Sequence, residues 1–552
     1  MPTMVRARWL VAALGAVSTA VRAASVAGAA AVDGAAGAMA GGPIGRRTAV
    51  GVACALTLGM VIGGNPEARA PAAQTPPHTQ IVLVVDGLRP DMVTDAVMPR
   101  VRRLVSRGTT FTNHHAVFPT VTRVNASTFT TGMLPVHHGI LGNAIYIPSA
   151  NATRATDTAD HLQLERVATT EGRLLTAPAL GDLLAAAGRR VLVVSSGSSG
   201  SALLLAPTAT SGTILNTEFF RPAAMQSKVE SLLGPIPKAA VPNAERNRYM
   251  TDMLLRVGLP EIEPDVVFAW FSEPDTTAHA VGLDTEATRQ VLTAVDTEIG
   301  RIEDALEAAG RLATTNLIVV SDHGFSTHSG GFDLPALVKP FAHPMPDGTP
   351  DIVTAGGAVH LRRDRDPARV AEIVAALRKA PAVGAIFTAA RTPGDPDGHV
   401  PGTLSFDLVG WTHPRAGDIL VSANWVDAQQ GGPRGASTMA AGAAGHGSTN
   451  PDDVHNTLIA AGPDVVRGFS VTSPSGNVDL APTLLHLLGL PVPSAMDGRV
   501  LREALRSQSP QRTEIRVRTV SVTTADDSYA ITATLSEVEG HSYFDQATVT
   551  RK

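Results

Sequence analysis

The chain has 552 residues, of which 44% are hydrophobic and 17% are charged, and its net charge at pH 7 is −5. This length exceeds a single compact core and predicts a large domain with an insertion or appendage, while the composition excludes a disordered chain or a multi-span membrane protein. The weak negative charge gives no electrostatic basis for binding bulk nucleic acid. The single cysteine, Cys54, excludes an intramolecular disulfide and a thiolate in the body of the protein.

Residues 1–70 have the features of an export leader. Arg46 and Arg47 precede an apolar run from Thr48 to Gly64, and Ala68-Arg69-Ala70 has the small-x-small form of a cleavage site. The run is shorter than the roughly 18 residues that a membrane-spanning helix needs, and the paired arginines indicate the twin-arginine route. We therefore expect a secreted or cell-envelope protein whose leader is removed. The alternative is an uncleaved leader that anchors the protein, which would be its sole contact with a membrane.

Residues 71–510 alternate predicted strands and helices. The short apolar runs predict buried strands at Ile81–Val85, Arg190–Val194, Asp265–Phe271, Asn316–Val320 and Asn456–Ala460, with a less regular extended segment from Phe111 to Phe118. Helical periodicity is found at Met98–Arg107, Asn125–Thr131, Leu180–Ala187, Arg246–Val257 and Thr288–Ala309. This alternation predicts an α/β fold with a mostly parallel sheet covered on both faces.

Two regions depart from that alternation. Residues 326–442 are rich in Pro and Gly and contain one strand–helix–strand pattern (Ala358–Leu361, Pro367–Lys379, Ala385–Thr388), which predicts an inserted α+β cap. Residues 511–552 alternate apolar and polar side chains and predict a small C-terminal β segment or hairpin.

Acidic and histidine residues follow the predicted strands or lie in a glycine-rich loop: Asp86, Asp275 with His279, Asp322 with His323, and His446. The carboxyl ends of parallel strands are where open α/β sheets place their ligands. Mixed Asp and His ligands suit zinc, with iron and manganese as competitors. Without a usable cysteine, a catalytic site is favoured over a structural one.

The loop from Val117 to Gly132 contains the candidate nucleophile, Thr122. A threonine hydroxyl is a poor nucleophile until a metal lowers its pKa, so it should contact an ion directly. Thr122 lies near a predicted helix N-terminus, where the helix dipole favours negative charge. Asn143 is interpreted as a donor to the oxygen on which charge develops, and Thr120 is the rival nucleophile.

The order of these motifs resembles the type I phosphodiesterase/nucleotide pyrophosphatase branch of the alkaline phosphatase superfamily, over about Gln80 to Leu501. The matching segments are Val85-Asp86-Gly87, Pro119–Asn125, Thr131-Gly132, His138–Asn143, Glu273–His279, Ser321–Gly324 and His446-Gly447. The resemblance implies an alkaline phosphatase-like αβα sandwich and places the nucleophile on Thr122. It further implies two Zn²⁺ ions per chain, other divalent transition metals being alternatives. The ligands implied are Asp275, His279 and His446 for one ion, and Asp86, Asp322, His323 and Thr122 for the other.

The implied activity is hydrolysis of phosphodiester or pyrophosphate bonds in a small phosphoester or nucleotide-like substrate, through a covalent phosphothreonine at Thr122. One departure concerns specificity, because nucleotide-hydrolysing relatives carry Phe-Pro where this chain has Arg123-Val124. Arg123 is a candidate substrate-binding residue for an anionic group, with an uninvolved surface arginine as the alternative.

Several alternatives stay open at this point. A phosphomonoesterase, a phosphonate hydrolase or a phosphoryl or phosphoglycerol transferase fits the same two-metal scaffold, whereas a sulfatase is disfavoured by threonine at the nucleophile position. A non-catalytic, metal-containing envelope-binding protein is the alternative outside enzymes. His137, His138, His455 and His486 are expected to be structural, and the oligomeric state is open.

Overall fold

A computed structural model describes residues 77–426, 435–507 and 514–552. These residues belong to one compact unit spanning Thr75–Lys552. The predicted leader, including Arg46, Arg47 and the cleavage motif, lies outside the described residues. Within the described ranges, no helix combines the length and apolarity needed to cross a bilayer.

The strands are, in chain order, β1 Thr79–Val85, β2 Thr109–Phe111, β3 His114–His115, β4 Ala144–Ile145, β5 Thr156–Asp157, β6 Val191–Ser195, β7 Thr213–Asn216, β8 Phe220–Arg221, β9 Val266–Phe271, β10 Thr315–Val320, β11 Ser326–Phe332, β12 Ile352–Ala355, β13 Ala358–Leu361, β14 Val383–Thr388, β15 Leu404–Ser405, β16 Ile419–Ala423, β17 Trp425–Val426, β18 Ala436–Met439, β19 Ala444–Gly445, β20 Leu458–Ala461, β21 Phe469–Val471, β22 Ser475–Gly476, β23 Ile515–Thr523, β24 Tyr529–Val538 and β25 His541–Arg551.

The α-helices are α1 Pro99–Arg107, α2 Thr122–Thr131, α3 Pro135–His138, α4 His161–Glu171, α5 Leu180–Ala186, α6 Ser199–Leu205, α7 Ala224–Leu233, α8 Ala244–Met253, α9 Leu259–Ile262, α10 Asp275–Val281, α11 Glu286–Ala308, α12 Leu334–Val338, α13 Pro367–Lys379, α14 Pro451–Val454 and α15 Leu480–Leu487.

A nine-stranded sheet forms the centre of the fold, in the order β21-β2-β20-β10-β1-β9-β6-β7-β8. The inner strands β10, β1, β9, β6 and β7 are all parallel to their neighbours in that run. Strand β20 runs antiparallel to both of its neighbours, and β8 is antiparallel at one edge. The predicted mostly parallel sheet is confirmed.

The central strands are buried on both faces, which explains their continuous apolar sequences. In β1, Val82 and Val84 belong to a core that includes Phe129 of α2. Ile81, Leu83 and Val85 belong to a second core on the opposite face, together with residues of α11. Helices therefore cover both faces of the sheet, as an α/β sandwich requires.

Three local predictions need correction. The extended segment Phe111 to Phe118 is wrong as one strand, because only β2 and the two-residue β3 are paired and the rest is loop. The predicted helix Asn125–Thr131 begins three residues earlier, so Thr122 is its first residue. The predicted helix Arg246–Val257 is α8 followed by a π-helical turn at Leu254–Gly258.

The regions predicted as a cap and a C-terminal β segment contain separate sheets. A five-stranded sheet in the order β12-β13-β16-β14-β15 carries α13, and a four-stranded sheet has the order β17-β18-β11-β19. The C-terminal residues form a three-stranded antiparallel sheet, β23-β24-β25, rather than a single hairpin. The domain boundaries at residues 70 and 510 stay a prediction.

Candidate active site

Three neighbouring strands of the central sheet end at the same level. Val85 of β1 pairs with Phe271 of β9, and Val84 pairs with Val320 of β10. The chain beyond them is tied together, since Gly87 donates its N–H to Asp322 Oδ1 at 3.1 Å and Asp275 donates its N–H to the carbonyl of Asp86 at 3.2 Å. Strand register therefore brings Asp86, Asp275 and Asp322 to one edge.

Glycine is required immediately after Asp86. Gly87 has a φ of +73°, and a Cβ at this position would lie 2.8 Å from the ring of Phe325. A side chain would therefore meet both a strained backbone conformation and a steric clash. This explains the Asp-Gly sequence at the end of β1.

Asp275, His279 and His446 form the first candidate metal cluster. Asp275 is the first residue of α10 and His279 lies one helical turn later on the same face. The Nε2 atoms of His279 and His446 lie 3.1 and 3.4 Å from Asp275 Oδ1. Because 39% of the His279 side chain is exposed, solvent reaches the site from this side.

Asp86, Asp322 and His323 form the second cluster, which is fully buried. His323 Nε2 lies 3.4 Å from Asp86 Oδ1 and 3.1 Å from Asp322 Oδ2. The rings of His323 and His446 are stacked with their centroids 3.3 Å apart, so the two clusters are adjacent.

The three histidines share one orientation. Their Nδ1 atoms lie 2.8–2.9 Å from the backbone carbonyls of Ala444, Gly324 and Thr120 for His279, His323 and His446, respectively. A carbonyl can only accept, so each Nδ1 carries a proton and Nε2 faces the carboxylates. Backbone partners of this kind fix histidine ligands in metal sites.

The carboxylates fit a bound cation. Asp86 Oδ1, Asp275 Oδ1 and Asp322 Oδ2 are buried and accept no hydrogen bond from any described residue. Unpaired carboxylate oxygens cost several kcal/mol of solvation unless a cation compensates them. With imidazole nitrogens beside them, the donor set suits a transition ion.

The electrostatics of the site agree with that fit. Burial, together with the negative charges of Asp322 and Asp275, raises the pKa of Asp86 well above its usual value. Burial opposes ionisation of Asp275 too, but the charge of His279 outweighs it and holds the pKa of Asp275 well below its usual value. Burial and the charge of His323 lower the pKa of His446 to about 4, which keeps this imidazole neutral.

The two candidate threonines have different surroundings. Thr122 Oγ1 lies 3.3 Å from His323 Nε2, and the residue is 5% exposed at the N-terminus of α2. The hydroxyl of Thr120 donates to the carbonyl of Ser448 and accepts the N–H of Gly447, so it holds the loop that carries His446. The hydroxyl of Thr122 is therefore the one adjacent to the metal clusters.

Asn143 and Arg123 flank Thr122. The N–H of Arg123 donates to Asn143 Oδ1 at 3.1 Å, which fixes the side-chain amide next to the start of α2. Arg123 is half-buried, its Nε has no hydrogen-bond partner among the described residues, and its charge acts on Asp86 and His279.

One supporting residue escaped the sequence analysis. Trp270 Nε1 donates to Asp86 Oδ2 at 3.0 Å from within β9. The sequence feature that could have indicated this contact is a tryptophan within a buried strand, because a buried indole N–H needs a hydrogen-bond acceptor. By contrast, His138 is buried outside both clusters and contacts the N–H of Ile140 and the hydroxyl of Thr128.

Residues 80–429 match the family model for type I phosphodiesterase / nucleotide pyrophosphatase. The chain belongs to this family. Phosphodiesterases and nucleotide pyrophosphatases, for which the family is named, are hydrolases of phosphoester bonds. The predicted resemblance is therefore confirmed.

Curated relatives match about half of this chain at low identity. The chain is 26% identical over 264 residues to venom phosphodiesterase from Macrovipera lebetinus, which is 47% of this chain and 27% of the relative. It is 26% identical over 270 residues to human ectonucleotide pyrophosphatase/phosphodiesterase family member 1, which is 48% of this chain and 25% of the relative. The match thus spans about a quarter of the length of these relatives.

Solved structures of the family share the fold. Murine ectonucleotide pyrophosphatase / phosphodiesterase 5, as an inactive threonine-to-alanine variant in complex with AMP, superposes with a TM-score of 0.54 at 18% identity, covering 75% of this chain and 96% of that chain. The human form gives a TM-score of 0.53 at 18% identity, covering 78% of this chain and 100% of that chain. The alkaline phosphatase-like α/β fold is therefore confirmed.

Proposed function

We propose that the protein is a metal-dependent phosphodiesterase or nucleotide pyrophosphatase that acts through a covalent phosphothreonine at Thr122. The observation that carries this proposal is the position of the Thr122 hydroxyl beside two adjacent Asp/His clusters whose buried carboxylate oxygens lack donors. The names of the relatives support the reaction class, and the inactive threonine-to-alanine variant of the murine relative supports a required threonine.

The proposed ligands are Asp275, His279 and His446 for one Zn²⁺ ion, and Asp86, Asp322, His323 and Thr122 for the other. When bound, the two ions would neutralise the carboxylates, lower the pKa of the threonine hydroxyl and offset charge on the attacking and leaving oxygens. Zinc is favoured over magnesium or calcium because three of the ligands are imidazole nitrogens.

Thr122 acts as the nucleophile in this proposal. After its proton is lost to solvent, its Oγ1 bonds to phosphorus while the bond from phosphorus to the leaving oxygen breaks, so that Thr122 carries the phosphoryl group together with the remaining ester substituent of a diester substrate. A water molecule then attacks phosphorus, the bond from phosphorus to the threonine oxygen breaks, and a proton returns to that oxygen. The N-terminus of α2 places the positive end of the helix dipole next to Thr122 and favours the developing negative charge.

Asn143 and Arg123 complete the proposed contacts to substrate. With its Oδ1 already engaged by the N–H of Arg123, Asn143 has its NH₂ group available for a non-bridging phosphoryl oxygen. Arg123 places a half-buried positive charge next to the nucleophile and suits an anionic group of the substrate. The murine relative is in complex with AMP, which supports a small, nucleotide-like substrate.

Arg123 also supports a second candidate, a phosphomonoesterase. A dianionic monoester carries one charge more than a diester, so an arginine that reaches phosphorus-bound oxygens stabilises the monoester more strongly. The experiment is a comparison of kcat/KM for an aryl phosphodiester and the matching monoester with zinc-loaded protein. We expect a preference for the diester, and a monoester preference of a hundredfold or more would contradict the primary proposal.

The metal and the location are part of the proposal. Metal analysis of the purified protein should find at least two zinc ions per chain, and dialysis against a chelator should abolish hydrolysis until zinc is restored. The leader features and the ecto- and venom enzymes among the relatives support export. Mass spectrometry of exported protein that begins after Ala70 would support it, and retention in the cytoplasm would contradict it.

A further inference from the structure

A third group of potential ligands lies outside the proposed active site. It consists of His115 in β3, His455 directly after α14 and Asp545 in β25. His115 Nε2 is 2.7 Å from Asp545 Oδ1, and His455 Nε2 is 4.0 Å from the same oxygen. His455 lies 340 positions after His115, and Asp545 lies 90 positions after His455, so the fold alone brings the three residues together.

His115 is oriented like the histidines of the active site. Its Nδ1 lies 2.8 Å from the carbonyl of Ser475, which accepts the ring proton, so Nε2 is directed at the carboxylate of Asp545. The 2.7 Å between Nε2 and Asp545 Oδ1 requires a positive charge on this pair, either a second proton on the imidazole or a metal ion bound by both atoms. The backbone of His455 forms an isolated bridge with that of His115, and the two rings lie side by side with their centroids 4.6 Å apart.

A β-bulge directs Asp545 toward the two histidines. In the pairing of β24 with β25, Thr534 is opposite Gln546 and Leu535 is opposite Phe544, so Asp545 is the extra residue. Bulges of this kind redirect a side chain at a functional position. The hydroxyl of Ser536 lies 3.0 Å from both oxygens of Asp545 and holds the carboxylate in place.

The spacing and exposure of the group suit a divalent ion. Ligand atoms around a tetrahedral zinc are roughly 3.3 Å apart, and the two measured separations from Asp545 Oδ1 lie on either side of that value. His115 is 2% exposed, whereas 33% of the His455 side chain is exposed, so solvent can supply a fourth ligand. Two imidazoles and one carboxylate favour zinc over magnesium or calcium.

We propose that His115, His455 and Asp545 bind a third transition-metal ion, preferentially Zn²⁺, which links the C-terminal sheet β23-β24-β25 to the central fold. His115 and His455 belong to the segments beside the central sheet, and Asp545 is the contribution of the C-terminal sheet. This site is separate from Thr122, so it does not depend on the reaction assigned to the protein.

The direct test is anomalous diffraction at the zinc edge from crystals of the full chain equilibrated with Zn²⁺. We expect a peak bounded by His115, His455 and Asp545, in addition to density at the active site. No peak at this position, with peaks at the active site, would overturn the proposal. This measurement uses wild-type protein and does not depend on any variant folding.

Metal analysis of variants gives the second test. Asp545→Asn and His455→Gln should each bind one zinc ion fewer per chain than wild type. Asp497→Asn is the matched control, because the carboxylate of Asp497 also contacts a histidine, His137, at 2.8 Å but belongs to none of the candidate metal groups found among the described residues. Wild-type zinc content in Asp545→Asn would overturn the proposal, as would an equal loss in Asp497→Asn.

Discussion

The side-chain amide of Asn143 gives a prediction with a defined size. Its Oδ1 is engaged by the N–H of Arg123 at 3.1 Å, while its NH₂ group has no hydrogen-bond partner among the described residues. Asn143→Asp keeps the acceptor for Arg123 but replaces the free donor with a carboxylate oxygen. The variant therefore separates the proposed transition-state contact from the local structural contact.

The expected loss follows from known oxyanion donors. Removing one such donor lowers kcat by about 10²–10³-fold, or about 2.7–4 kcal/mol of transition-state stabilisation. Because Asn143 is half-buried, screening by water is incomplete, and a negative charge facing a phosphoryl oxygen should bring the effect to at least the upper end of that range. The loss should fall on kcat more than on KM, since charge on the oxygen increases in the transition state.

The assay is steady-state hydrolysis of an aryl phosphodiester by zinc-loaded protein. Asn151→Asp is the control, because Asn151 Oδ1 also accepts a backbone N–H, that of Thr153, at 3.1 Å. It should retain wild-type kcat within a factor of two. The reasoning is refuted if Asn143→Asp retains more than a fifth of wild-type kcat, or if its loss lies in KM alone.

The remaining predictions concern residues around Thr122. Trp270→Phe removes the N–H that holds Asp86 and should weaken zinc affinity about 10–100-fold, as measured by competition with a chelator. Unchanged affinity would exclude a role of this hydrogen bond in zinc binding. Arg123→Met should lower kcat/KM for the monoester by a larger factor than for the diester, and equal factors would exclude a role in charge selection. Burial lowers the pKa of His138 to about 3, so below pH 6.5 the unfolded chain binds a proton that the folded chain excludes, and stability falls by about 1.4 kcal/mol per pH unit. Between pH 7 and pH 5, the free energy of unfolding of His138→Asn in urea should therefore fall by about 2 kcal/mol less than that of wild type. The control is His137→Asn, whose half-exposed histidine should leave the pH dependence as in wild type. Parallel pH dependences of wild type and His138→Asn would contradict this prediction.

Much of the fold could be predicted from the sequence, because the central strands are buried on both faces. Such strands are continuous apolar runs with an abrupt polar end, and β1, β9 and β10 were each predicted to within two residues. The segment from Phe111 to Phe118 was harder, because β3 pairs with β22 and forms a bridge to His455, both more than 300 residues away. Pairing at that distance leaves no periodic signal in the local sequence.

The candidate site was predicted as a set of residues, and the structure brings that set together. Asp86, Asp275 and Asp322 follow parallel neighbouring strands, so the sheet topology alone predicts their proximity. The different surroundings of Thr120 and Thr122 could not be predicted, because they depend on the loop that carries His446. The contact of His115 with Asp545 was equally inaccessible, since it depends on a bulge in the C-terminal sheet.

The central claim is that Thr122 becomes covalently attached to phosphorus during turnover. Acid quench within the first turnover of an aryl phosphodiester, followed by peptide mass spectrometry, tests it directly. The account predicts a phosphoryl ester on Thr122 in wild type and in Thr120→Val, and none in Thr122→Ala, which should also lose hydrolysis. An adduct on Thr120, or turnover by Thr122→Ala at a rate close to wild type, would contradict it.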